Sequence, residues 1–210
     1  MMKFILRSFY TLIFVFSFIE LAYSKTTKII IFGDSLIAGY GLVVEDNFVN
    51  QLKLKTIENK INDVTLFNSG VSGETSTGLL NRYKWVLEDN YDGVIILIGA
   101  NDALRGIDPS LTSQNIEKIL SYLKEKQIPT MLIGMKAPNN LGEIYVNEFN
   151  TIYPKLSKKY NTAYYPFFLE DVALKPSLNQ RDMIHPNKKG VKIIVNNFFP
   201  YFIEFYESLK

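Results

Sequence analysis

The chain has 210 residues, a formal charge of +2, one histidine and no cysteine. Without cysteine there is no thiol nucleophile, no disulfide framework and no thioether lipid anchor, and one histidine among scattered carboxylates makes no zinc cluster. A nearly neutral chain gives no electrostatic reason to expect a nucleic-acid partner, and a solvated helix face accounts for Lys155, Lys158 and Lys159.

Residues 1–24 read as a secretory leader. Lys3 and Arg7 form a short positive start, Ser8 to Phe18 is mostly apolar, and Ala22-Tyr23-Ser24 places small residues at the positions a signal peptidase reads. Cleavage is expected between Ser24 and Lys25, which leaves a periplasmic or secreted protein with no stable membrane insertion. A membrane anchor is the rival reading, but the apolar stretch falls short of the ~20 residues that span a bilayer. Residues 25–210 then have the length of a single α/β domain, with a monomer favoured.

Residues 28–32 form a β-branched and aromatic run with no polar alternation, as expected of a strand covered on both faces. It leads into Gly33-Asp34-Ser35-Leu36. Phe48, Leu52, Leu54 and Ile57 make a helical stripe, residues 64–67 a second strand, and Gly70 to Thr75 a turn. A second stripe runs through Leu79, Leu80, Tyr83, Val86 and Leu87, followed by a strand over 93–98 that ends in Gly99-Ala100-Asn101-Asp102. Asp108 is placed to cap a helix with Pro109 at its first position and Leu111, Ile116, Ile119, Leu120 and Leu123 on its apolar face. Strands over 129–133 and 162–167 flank a stripe of Tyr145, Phe149, Ile152, Tyr153 and Leu156. Asn187 caps the last helix, which Pro200 is expected to kink or split. The alternation predicts a three-layer α/β/α sandwich around a mostly parallel five-stranded sheet, with ligands at the carboxyl ends of the strands.

Ser35 and Asn101 both follow strands and so fall at that edge. A serine in this position either caps a helix or, given a base, attacks a carbonyl while its own amide holds the oxyanion. Histidine titrates near neutral pH, so His185 is the one imidazole available as that base. Asp182, three residues earlier, can hold the proton on Nδ1 across a helical turn or compact loop and leave Nε2 for the serine. The plainer alternative is a surface carboxylate and a histidine capping the last helix, and Pro186 weighs against it by favouring extended backbone at His185. Gly73 offers an unobstructed amide to an anion or simply a positive-φ turn; Asn101 offers a side-chain amide to the same oxygen or caps its loop.

These four blocks, Gly33-Asp34-Ser35-Leu36, Val71-Ser72-Gly73-Glu74-Thr75, Gly99-Ala100-Asn101-Asp102 and Asp182-x-x-His185, resemble in order those of the SGNH, or GDSL, hydrolase family. The chain is most similar to its periplasmic multifunctional thioesterase I/lysophospholipase L1/arylesterase branch. The resemblance spans the mature chain, including Leu104-Arg105-Gly106, Pro138 to Gly142, residues 152–156 and Pro166-Phe167-Phe168. It implies the flavodoxin-like SGNH fold, with Ser35 as nucleophile, His185 as general base and acid, and Asp182 as the orienting carboxylate. The Ser35 and Gly73 amides and the Asn101 side chain would form the oxyanion hole, with Asp34 and Asp102 bracing their loops. Arg105 would belong to a loop that moves when an acyl chain enters. Ala100 and Ala103 stand where the branch often has glycine, and Lys136 to Leu141 matches its substrate-side loop only in outline.

The reaction expected is hydrolysis of carboxylic esters and thioesters through an acyl-serine, with no metal and no organic cofactor. Ala103, Leu104, Ile107, Pro138 and Leu141 either floor a groove for an acyl chain or serve ordinary packing. With a leader present, the groove favours lysophospholipids or related lipid esters as substrates. The alternatives are an O-deacetylase of carbohydrate or small esters on the same fold, and an inactive scaffold that binds lipid or glycan.

Overall fold

The computed structural model describes residues 26–210, so the leader expectation lies outside the described residues. Five strands, β1 (Thr27–Gly33), β2 (Val64–Gly70), β3 (Gly93–Leu97), β4 (Thr130–Ile133) and β5 (Ala163–Tyr165), form one sheet in the order β2-β1-β3-β4-β5. Every pairing is parallel. Strands β3 and β4 are buried along their whole length, which explains why their sequences carry no polar alternation. The edge strand β2 leaves Phe67 37% exposed.

Helices α2 (Phe48–Glu58) and α8 (Lys188–Glu207) pack together on one side. On the other, α5 (Pro109–Glu125) packs between α3 (Ser76–Val86) and α7 (Ile152–Tyr160). Short helices α1 (Ser35–Ala38), α4 (Ala100–Leu104) and α6 (Glu143–Asn150) complete the chain. The expected caps form. Asp108 Oδ1 accepts from the Ser110 amide at 2.7 Å, and Asn187 Oδ1 from the Lys189 and Gly190 amides at 2.9 and 3.1 Å.

Strands β1, β3 and β4 match the expected runs to within one residue at each end, and three features differ by more. Strand β2 runs on to Gly70, because Asn68, Ser69 and Gly70 keep pairing with Ile31, Phe32 and Gly33 although their side chains are polar or absent. Strand β5 stops at Tyr165, before Pro166, which has no N–H to give. Helix α8 is not split at Pro200. A proline inside a helix costs about 3 kcal/mol, whereas each fully buried phenylalanine contributes about 1.5–3 kcal/mol. Phe198 and Phe202, on either side of Pro200, are both fully buried and together outweigh it.

The register brings the strand ends level: Gly33 lies opposite Gly70 on one side and Leu97 on the other. The segments after β1, β2 and β3 therefore leave the sheet side by side.

Candidate active site

Where β1 ends, Asp34 caps α1 by accepting the Leu36 amide at 2.9 Å, and Ser35 becomes the first residue of that helix. Amides in a first helical turn have no partner within the helix, so α1 itself does not use the Ser35 N–H. The His185 Nε2 lies 2.8 Å from Ser35 Oγ, and its Nδ1 lies 2.7 Å from Asp182 Oδ2.

Asp182 and His185 sit in a hairpin rather than a helical turn. Asn179 bridges Pro186 in antiparallel fashion, the Gln180 amide donates to the His185 carbonyl at 2.7 Å, and the Met183 amide donates to the Gln180 carbonyl at 3.0 Å. Within this tip the other carboxylate oxygen of Asp182 accepts the Ile184 and His185 amides, each at 3.0 Å. Burial works to raise the Asp182 pKa, but the His185 amide, the imidazole and the Ile184 amide outweigh it and hold the group at about 2. The carboxylate thus stays ionised at neutral pH. The Tyr40 ring packs on the imidazole with centroids 4.6 Å apart.

Gly73 occupies a turn closed by the Glu74 amide donating to the Val71 carbonyl at 3.1 Å, and its φ of +78° is one that glycine adopts without strain. Two arginines fix this turn. Arg105 Nη2 donates to the Gly73 carbonyl at 2.7 Å, while Arg82 makes a two-pronged ion pair with the buried Glu74, both contacts 2.6 Å, and reaches Ser69 Oγ and its carbonyl. Asn101, half-buried, is the second residue of α4. Its neighbour Asp102 is fully buried and accepts from the Ser76 amide at 2.8 Å, from Ser76 Oγ, and from Thr112 Oγ1 at 3.1 Å. Asn115 adds a hydrogen bond to Ser76 Oγ at 3.1 Å, and buried Tyr153 donates to the Ile98 carbonyl at 2.8 Å just before α4. The loops carrying Gly73 and Asn101 are thereby tied to the same helix start.

Asp34 is fully buried, and one of its oxygens has no partner with good hydrogen-bond geometry. Burial raises its pKa from 3.8 to about 6, against the lowering effects of the Leu36 amide, the His185 charge and the nearby Asn101 amide. A carboxyl whose pKa is raised on folding favours the protein below its unfolded pKa and loses that contribution as pH rises through the folded value. Asp34→Asn, which keeps the acceptor for Leu36, is therefore expected to stabilise the fold at pH 8 by about 1–3 kcal/mol. The gain should vanish below about pH 4, which thermal melts across that range would read.

The expected substrate-side residues are partly brought together. Ala103 is 1% exposed and belongs to the core, because α4 turns Asp102 and Ala103 inward and leaves Leu104 and Arg105 outside. The half-buried Ile107 lies across from α6, with Tyr145 Oη donating to its carbonyl at 2.7 Å. Pro138 precedes a 3₁₀ turn at Asn139–Leu141. An open groove of about 550 Å³ runs beside them, lined by Gly106, Asp108, Pro109, Leu141, Ile144 and Tyr145 among others; of the expected substrate-side residues only Leu141 lines it, and Ser35 and His185 do not. Among the described residues no group of three or more His, Cys, Asp and Glu side chains is arranged to hold a metal.

Sequence reasoning missed the Glu74–Arg82 pair, the Ser76–Thr112–Asn115 cluster, Tyr145 and Gln180. One signal was available: Thr112 and Asn115 are polar residues on the buried face of α5, beside Ile116 and Ile119.

Comparison with known proteins gives a consistent picture. The model of the GDSL-like lipase/acylhydrolase family matches residues 31–193. The chain is 34% identical to an arylesterase of Vibrio mimicus over 84% of its own length and 88% of that protein's. It is 36% identical to thioesterase 1/protease 1/lysophospholipase L1 of Escherichia coli over 80% of its length and 79% of that protein's. Among solved structures, the psychrotrophic esterase EstA of Pseudoalteromonas sp., inhibited by monoethylphosphonate, superposes with a TM-score of 0.81 at 32% identity, covering 86% of this chain and 99% of EstA.

Proposed function

Because the chain belongs to the GDSL-like lipase/acylhydrolase family, a family of hydrolases, we propose that it is a serine esterase acting on carboxylic esters and thioesters with extended acyl chains, lysophospholipids among them. The observation that carries this reading is the unbroken line from Asp182 through His185 to Ser35, with contacts of 2.7 and 2.8 Å. Ser35 Oγ attacks the acyl carbonyl as His185 Nε2 takes its proton. The negative oxygen is held by the Ser35 and Gly73 amides and the Asn101 side chain. The imidazolium, steadied by Asp182, then protonates the alcohol or thiol as it leaves. Water, deprotonated by the same imidazole, cleaves the acyl-enzyme and restores the serine.

What supports an acyl chain longer than acetyl is the apolar wall that Leu141, Ile144 and Tyr145 give the groove beside the α4–α5 loop. Each methylene buried there contributes about 0.8 kcal/mol, close to a fourfold gain. With otherwise identical esters, kcat/KM is expected to rise at least ~10-fold from acetyl to octanoyl, and lysophosphatidylcholine to be cleaved. A maximum at acetyl with no lysophospholipid turnover would replace this reading with an O-deacetylase of the same fold.

Export is part of the same proposal. The basic, apolar and small-residue order of residues 1–24 supports cleavage after Ser24, and no helix among the described residues is long and apolar enough to cross a membrane.

A further inference from the structure

The geometry points to Gln180 as a positioning residue that sets the reach of His185 to Ser35. This inference rests on the catalytic reading above and adds to it a residue that none of the four sequence blocks contains. Ser35 and His185 are carried by different segments, the turn after β1 and the hairpin before α8, and a hydrogen bond of 2.8 Å between them requires those segments to keep a fixed separation. Gln180 joins the two. Its side-chain amide donates to the Tyr40 carbonyl at 2.7 Å on the serine side and to the Pro186 carbonyl at 3.1 Å on the histidine side. Both amide protons are thus used, one on each segment, and the two carbonyl acceptors fix which end of the amide is the nitrogen. The Gln180 backbone amide adds a third bond, to the His185 carbonyl at 2.7 Å.

Each anchor is itself hydrogen-bonded to its own segment. On the serine side, the Tyr40 amide donates to the Ser35 carbonyl at 3.0 Å, so the carbonyl that Gln180 grips is one short turn from the nucleophile. On the histidine side, the hairpin is held by Asn179 Nδ2 donating to the Val172 and Lys175 carbonyls at 2.8 and 2.9 Å. Asn187 Nδ2 donates to the Ser177 and Asn179 carbonyls at 3.0 and 3.1 Å. The serine-side turn also makes room for the clamp. Gly41 has a φ of +73°, and a Cβ added to it would sit 2.1 Å from Gln180 Oε1. A side chain at that position would push the amide out of place.

Misplacing a catalytic group by about 1 Å costs up to ~100-fold in rate with little effect on ground-state binding. Two variants strike the clamp from opposite ends: Gln180→Met keeps the length of the side chain without its donors, and Gly41→Ala displaces the amide while leaving it present. For each, kcat is expected to fall about 10- to 100-fold on an ethyl ester, with KM within about 2-fold of wild type. Read as kcat/KM, which reports acylation and not the hydrolysis of the shared acyl-enzyme, the loss should be smaller on the p-nitrophenyl ester of the same acid, whose leaving group needs less protonation by His185. A merely structural role would lower the folded fraction and scale both esters alike. Unchanged kcat in Gln180→Met, or equal losses on the two esters, would overturn the inference. Activity retained in His185→Ala would instead remove the catalytic reading beneath it.

Discussion

His185→Ala is expected to lower ester turnover by at least ~10⁴-fold while the chain stays folded. The chain contains one histidine, so no second imidazole can substitute as base. The side chain is 17% exposed and lies at the end of a hairpin whose backbone bonds do not involve the ring, so its removal leaves the Gln180–His185 and Leu178–Asn187 pairings intact. Ser35→Ala should cause a loss of the same order. The double variant should be little worse than either alone, because in the proposed mechanism the two groups act on one proton transfer and their effects do not add. Purified variants assayed on p-nitrophenyl octanoate, with circular dichroism to confirm folding, read this directly. Activity within ~10-fold of wild type in either single variant would contradict it.

Asn101→Ala should reduce kcat by roughly 100- to 1,000-fold with a much smaller change in KM, since an oxyanion donor acts on charge that develops only in the transition state. The fold is protected by the neighbouring residue. Asp102 anchors α4 through Ser76 and Thr112, and Tyr153 holds the strand end before it, so truncating Asn101 leaves the helix in place. Steady-state kinetics on one ester separates the cases: a rise in KM with kcat unchanged would mark Asn101 as a ground-state binding residue.

Much of the architecture was legible because the strands are short, continuous apolar runs and the helices carry clear caps. A fully buried strand such as Val94 to Leu97 has no other reading at that length between turn signals. Boundaries were less legible where tertiary contacts overrule local preference. Asn68 and Ser69 extend β2 because Ile31 and Phe32 present a free edge, and Pro200 stays inside α8 because buried aromatic residues hold both halves. The residues proposed for chemistry are short-range patterns with a chemical logic, so a single sequence exposes them. Those that position them are not. Gln180 reaches Tyr40 across 140 residues, and Arg105 reaches Gly73 across 32, through contacts that only the folded sheet brings into range. For Ala103 the sequence left groove floor and ordinary packing both open, because a five-residue helix is too short to show by periodicity which face turns inward.

The central claim is that Ser35 forms the covalent acyl intermediate. A phosphonate ester that reacts with activated serine tests it most directly, with intact-mass measurement and peptide mapping of the labelled chain. The account predicts one adduct per chain, located on Ser35, absent in Ser35→Ala and formed at least ~100-fold more slowly in His185→Ala. Ester hydrolysis by a preparation that acquires no adduct, or that carries it on another residue, would contradict the account.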